Sequence, residues 1–73
     1  MTVQVTILGL GQIGASIGLA LGEHKDLVRR IGNDTEPKIA RRAEKMGAID
    51  HVIFNLPSAV RHADLVILAL PVD

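Results

Sequence analysis

Three glycines and one carboxylate carry the chemistry this sequence advertises. Gly9-Leu10-Gly11-Gln12-Ile13-Gly14 has the form G-x-G-x-x-G, and Asp34 follows Gly14 by twenty residues. Where a strand runs into a helix, such a run binds an anion without any cationic side chain. Gly9 would turn the chain sharply, Gly11 would let a pyrophosphate come close to the backbone, and Gly14 would let the helix pack onto the strand. The N–H groups around Gln12 and Ile13 would then face the phosphates, helped by the positive end of the helix dipole. A carboxylate at the end of the next strand accepts hydrogen bonds from the adenosine ribose and repels a 2′-phosphate, so Asp34 argues for NAD over NADP. Lys38, Arg41 and Arg42 follow closely and would serve a phosphate instead. The plainer alternatives are a ligand-free strand–helix turn for the glycines and a turn or capping residue before Pro37 for Asp34.

Other polar residues promise less. His24, His51 and His62 fall on three different connections with no metal-ligand spacing between them. Asp50-His51 and His62-Ala63-Asp64 are neighbours on loops, where adjacent side chains rarely face each other. The Lys, Arg and Glu run from Lys38 to Lys45 reads as the wet face of a helix, and Ser16 as a packing or hydrogen-bonding residue in the first helix. No nucleophile stands beside a base. The expectation is a cofactor site with no catalytic residue and no metal.

The elements that must position this site read clearly. Val3 to Leu8 alternates and then becomes wholly apolar, a strand that is buried as it proceeds. From Gln12 to about Gly22, Ile13, Ile17, Ala20 and Leu21 recur at helical spacing, and Gly22 with His24 and Lys25 signals a stop. Leu27 to Asn33 reads as a second strand, weakened by Arg29 and Arg30. Pro37 suits a first helical position. Ile39, Ala40, Ala43 and Met46 then form an apolar stripe, and Gly47 falls where a left-handed cap belongs. Ile49 to Phe54 contains a short third strand, and Leu56-Pro57-Ser58 opens a brief helix running to about His62. Leu65 to Leu70 is an unbroken apolar strand stopped by Pro71, the pattern of a parallel strand covered on both faces. This β-α-β-α-β-α-β alternation predicts an α/β fold, a Rossmann-type parallel sheet of four strands in order 3-2-1-4, as part of a doubly wound domain.

Composition narrows the function. The chain has 73 residues, eight basic and eight acidic side chains, a single aromatic and no cysteine. Zero net charge argues against a nucleic-acid module, which needs surplus Lys and Arg, and one aromatic argues against base-stacking platforms. Without cysteine there is neither a disulfide scaffold nor a zinc ribbon, and a cytoplasmic setting is expected. No apolar run approaches the roughly 18–20 residues that span a bilayer, so no membrane partner is expected.

Specific motifs sharpen the reading. Val5-Thr6-Ile7-Leu8-Gly9-Leu10-Gly11-Gln12-Ile13-Gly14-Ala15-Ser16 resembles the amino terminus of prephenate and arogenate dehydrogenases. Ile31-Gly32-Asn33-Asp34 resembles their G-x-D strand end, and Met46-Gly47-Ala48-Ile49-Asp50 their L-G-x-I-D. Ala63 to Val72 resembles their A-D-L-V-I-L-A-V-P-V. Gln12 stands where a Leu is usual and Ala15 where a second Gly is usual; Ala15 is small enough to keep the packing close.

The resemblance implies NAD-dependent oxidative decarboxylation of prephenate, or of arogenate, on the route to tyrosine. It assigns Gly9, Gly11, Gln12, Ile13, Gly14, Asp34, Pro71 and Val72 to the cofactor site. In that family the catalytic histidine and substrate-binding arginine lie beyond the region matched, partly in a helical dimerisation domain. Residues 1–73 are therefore expected to be the amino-terminal part of a nucleotide domain, inactive alone and drawn from a homodimeric protein. The fourth strand is an apolar edge in order 3-2-1-4, so the fragment is expected either to self-associate through it or to belong to a longer polypeptide. Two other readings remain: a non-enzymatic NAD-sensing module that gates a partner, and a hydroxyacid or imine reductase.

Overall fold

The computed structural model describes residues 2–70. It contains β1 (Val3–Leu8), α1 (Gln12–Leu21), a single 3-10 turn (Gly22–His24), β2 (Val28–Asn33), α2 (Pro37–Lys45), β3 (His51–Val52), α3 (Leu56–Val60) and β4 (Leu65–Leu68). All four strands are parallel, in the order β3-β2-β1-β4, as the alternation predicts. Among the described residues no helix is long and apolar enough to cross a membrane.

Side-chain alternation along β1 explains the layers. Val5 and Ile7 point to one face, where they join Leu10, Ala15, Ala40, Ala43, Ala48 and Ile49 in the core shared with α1 and α2. Thr6 points to the other face, fully buried, and its Oγ1 donates to the Ala59 carbonyl of α3 at 2.7 Å. Two helices thus cover one face and one covers the opposite face. That is what right-handed crossovers require when the chain first steps outward from β1 and then returns past it.

Register decides where the site forms. Leu8 lies opposite Asn33 on one side and Leu68 on the other. β1, β2 and β4 therefore end level. Gly9, Asp34 and Ala69, the residues that follow them, emerge together at one edge. Backbone bonds from Gly9 N–H to Asn33 C=O and from Ala69 N–H to Leu8 C=O, both 2.8 Å, carry the pairing one step past the strands.

Several expectations need correction. The buried face of α1 is Gly14, Ala15 and Gly18, whereas Ile13 is 69% exposed and Ala20 lies at the surface. Close approach to the sheet selects small residues over large apolar ones. Gly18 sits so near the Ala48 carbonyl oxygen that a methyl group there would collide with it. α1 ends at Leu21, where the stop signal falls, although Gly22 has φ −62° and leads the chain into the 3-10 turn. Ile39 and Met46 are partly exposed beside the buried Ala40 and Ala43. Gly47 does adopt the left-handed conformation, at φ +83°.

Arg30 does not weaken β2. It is buried, and its Nη1 donates to the carbonyls of Gly18, Gly47 and Ala48 at 2.8, 2.8 and 3.1 Å. β4 is shorter than expected and is not covered on both faces: Leu65, Val66 and Leu68 are exposed, and among the described residues no strand pairs with its outer edge.

Candidate functional site: the crevice at the strand ends

The glycine run leaves β1 through Gly9, whose φ of +95° a side-chain-bearing residue rarely adopts. A methyl group on Gly9 would also lie 2.8 Å from the Ala69 carbonyl oxygen. Helix α1 begins three residues later, and Gly14 rests directly against the Gly9 carbonyl oxygen with no room for a Cβ. The two outer glycines thus brace one another and fix the turn.

Gly11 is different. Its backbone is extended and nothing lies within 4 Å of where a Cβ would stand. That open space faces the start of α1. The first helical bond runs from Ala15 N–H to Gly11 C=O at 2.9 Å, so the N–H groups of Gln12, Ile13 and Gly14 precede the ladder. No side chain caps them and no acidic residue occupies the first turn. The positive end of the helix is left for an anion from outside the chain.

Asp34 stands on the neighbouring strand end. Its Oδ2 accepts the Leu10 N–H at 2.8 Å and its Oδ1 accepts the Glu36 N–H at 2.9 Å. The turn-forming alternative for Asp34 is therefore realised by one oxygen, while the other grips the glycine run. Each carboxylate oxygen offers two lone pairs, and one on each remains available. Gly9, Gln12, Ile13, Asp34 and Leu70 help to line a crevice of about 490 Å³ between the two strand ends. Five of the six expected residues from Gly9 to Asp34 line it, and the sixth, Gly14, packs against Gly9. Pro71 and Val72 lie outside the described residues.

A second groove of the same volume runs between α1 and α2, sharing Gly11, Gln12 and Ile39 with the crevice. Of the cations read as alternative phosphate partners, Arg42 lines this groove. Arg41 is engaged elsewhere, with Nη1 3.2 Å from Glu44 Oε1 and its guanidinium 5.2 Å from the centre of the Phe54 ring. Asn33 has a role that sequence reading passed over. Its buried amide donates to the carbonyls of Ile53 and Phe54 at 2.7 and 3.1 Å, fixing the loop after β3 beside the crevice. Asp50 and Asp64 form no acid–base pairs with the nearby histidines: Asp50 takes Arg30, and Asp64 Oδ2 accepts the Gln4 N–H at 2.8 Å. Among the described residues, no three His, Asp or Glu side chains converge as metal ligands do.

With this geometry in view, residues 4–73 match the family described as NADP oxidoreductase, coenzyme F420-dependent. The chain belongs to that family. Among curated proteins it is 39% identical over 69 residues to the prephenate dehydrogenase of Bacillus subtilis (strain 168), covering 94% of this chain and 19% of that protein. It is 35% identical over 70 residues to the prephenate dehydrogenase of Lactococcus lactis subsp. cremoris (strain MG1363), with 96% and 19% covered. Among solved structures, the prephenate dehydrogenase from A. aeolicus in complex with hydroxyphenyl propionate and NAD+ superposes with a TM-score of 0.83 at 25% identity. That match covers 97% of this chain and 25% of the other. The resemblance read from the motifs therefore holds along nearly the whole chain, and the chain spans about a fifth of the length of the curated relatives it matches.

Proposed function

We propose that residues 1–73 form the pyrophosphate- and adenosine-binding half of the nucleotide domain of an NAD-dependent dehydrogenase acting on prephenate or arogenate. One observation carries this reading. The uncapped N–H groups at the start of α1 and the Asp34 carboxylate converge on a single crevice, with open space above Gly11. The A. aeolicus relative, named as a complex with NAD+, supports it.

In this reading the N–H groups of Gln12, Ile13 and Gly14 donate to the pyrophosphate oxygens. Gly11 admits the phosphates because no Cβ fills their place, and Gly9 and Gly14 hold the turn rigid. Asp34 accepts from the ribose hydroxyls through its two spare lone pairs. When bound, NAD supplies the acceptor for a hydride leaving the substrate carbon that bears the hydroxyl, with carbon dioxide lost. Among the described residues Asp34 is the one titratable side chain lining the crevice, and it is spent on the ribose. No acid or base among these residues is placed to assist hydride transfer, so the 73-residue chain by itself is expected to leave prephenate unconverted.

Calorimetric titration of the chain with NAD and NADP tests the reading. NAD is expected to bind more tightly, since a 2′-phosphate would meet the Asp34 carboxylate. Tighter binding of NADP would overturn the assignment, and turnover of prephenate by this chain would overturn the division of labour. The apolar outer edge of β4 supports a further element of the proposal, that this chain self-associates through that strand.

A further inference from the structure

We infer that Asp34 is a positioning residue for the phosphate-binding loop, independently of any contact with ribose; the inference rests on the nucleotide-binding reading above. Leu10 lies between the first two glycines of the run, and its side chain is buried in the core, close to Gly32 and Ile49. Its N–H donates to Asp34 Oδ2 at 2.8 Å, and among the described residues no backbone carbonyl takes it. The loop is thus pinned at one residue by two contacts: a buried apolar side chain and a charged acceptor. Because Gly9 and Gly11 flank that residue, the pin sets the position of the Gly11 backbone and of the N–H groups that follow.

The other oxygen of the same carboxylate takes the Glu36 N–H at 2.9 Å, where the chain turns into α2. Asp34 therefore bridges the phosphate loop and the start of the second helix. A carboxylate can do this because it is acceptor-only on both oxygens. An amide cannot: if its single oxygen takes one N–H, its NH2 faces the other. Alanine or glycine would release both. Removing the acid also removes the repulsion against a 2′-phosphate, so the substitution that should admit NADP would at the same time loosen the loop that holds the phosphates. A simple exchange at position 34 will not convert the preference; it will lower affinity for every dinucleotide.

The test uses the full chain, Asp34→Asn and Asp34→Ala, with ADP and 2′,3′-dideoxy-ADP as probes, the second having no ribose hydroxyls. A positioning role predicts that both variants bind dideoxy-ADP about tenfold more weakly than the parent, the weight of one charge-assisted hydrogen bond. It also predicts that the Leu10 amide loses protection from hydrogen exchange in the ligand-free variants, while the Thr6 and Ile7 amides of β1 keep theirs. Unchanged dideoxy-ADP affinity with a protected Leu10 amide would overturn the inference and leave Asp34 a ribose contact only. Failure of the parent chain to bind ADP would instead overturn the nucleotide reading, with Leu10 exchange still deciding whether the pin exists. Should a variant not fold, the parent suffices: its Leu10 amide, bonded to Asp34 Oδ2, should exchange far more slowly than the Gln12 and Ile13 amides, and equal exchange at the three would refute the pin.

Discussion

The guanidinium of Arg30, 2% exposed, meets the carboxylate of Asp50 as a fork, Nη2 to Oδ1 at 3.1 Å and Nε to Oδ2 at 3.3 Å. The remaining Nη1 reaches three carbonyls on α1 and on the link from α2 to β3. One buried cation thereby joins both helices of the first layer to the middle of the sheet. Removing one partner of a buried pair leaves the other uncompensated, at a cost of about 3–5 kcal/mol. Because Asp50 is a third exposed and water can partly replace it, Asp50→Ala is expected near the lower end, about 3 kcal/mol, in urea denaturation at pH 7. A loss under about 1 kcal/mol would place this pair among ordinary surface ion pairs.

The same pair makes stability depend on acid. Hydrogen bonding from the Arg30 side chain, aided by its backbone N–H and charge and by Lys25, outweighs burial and holds the Asp50 carboxyl below the usual carboxylate range. A group whose folded pKa is depressed stabilises the fold fully above its unfolded value, about 3.9, and loses that contribution as pH falls through the folded value. Stability should therefore drop below about pH 4. In Asp50→Asn the chain should be less stable at neutral pH but show a shallower acid limb. Parallel acid limbs for the two proteins in denaturation at pH 7, 4 and 3 would show that Asp50 does not carry the effect.

Much of the site was legible because it is built from backbone. Gly9, Gly11 and Gly14 announce a turn, an open approach and a close contact by spacing alone, and Asp34 announces a strand end by its distance from them. The alternation of strands and helices similarly announces a parallel sheet, and the glycine fingerprint with its following acid points to the 3-2-1-4 order. Arg30 was opaque for the converse reason: its acceptors are carbonyls of residues 18, 47 and 48, which no local pattern brings together. Gly18 was missed, and Ile13 misplaced, because periodicity counts apolar residues while a helix lying close on a sheet selects absent side chains. Asn33 carries no local signal, since its partners, the Ile53 and Phe54 carbonyls, belong to a loop twenty residues away.

The glycines of the loop should separate into two kinds. Gly14→Ala drives a methyl group into the Gly9 carbonyl oxygen, and such overpacking against backbone typically costs about 1–3 kcal/mol. Gly11→Ala meets nothing in the chain, and its extended backbone suits alanine, so thermal denaturation should show a change below about 1 kcal/mol. Yet its methyl group would occupy the space offered to the pyrophosphate, and NAD affinity should fall about tenfold or more. A Gly11→Ala chain that binds NAD normally would remove the phosphate from this position.

Away from the crevice, Gly18→Ala tests the closeness of α1 to the sheet. A methyl group there would strike the Ala48 carbonyl oxygen, the same oxygen that accepts from Arg30. Relief requires lifting the helix, which would disturb the Arg30 hydrogen bonds as well, so a loss of about 2–3 kcal/mol is expected. Gly47→Ala provides the contrast. It has open space around it and suffers only from its positive φ, a penalty of about 1 kcal/mol. Equal losses for the two variants would mean that backbone conformation, and not contact, governs both sites.

β4 presents Leu65, Val66 and Leu68 to solvent, the last 69% exposed, on a strand whose outer N–H and C=O groups pair with nothing among the described residues. Unpaired apolar edges are templates for strand addition, and natural sheets protect them with lysine or proline. This strand carries neither between Leu65 and Leu68. In sedimentation velocity at rising concentration the chain should therefore populate dimers or larger species. Leu68→Lys places a charge on the exposed edge without entering the core, and it should restore a monomer while leaving the denaturation midpoint within about 0.5 kcal/mol of its former stability. A parent chain that sediments as a single monomer at high concentration, or a Leu68→Lys variant that associates as strongly as the parent, would exclude β4 as the contact.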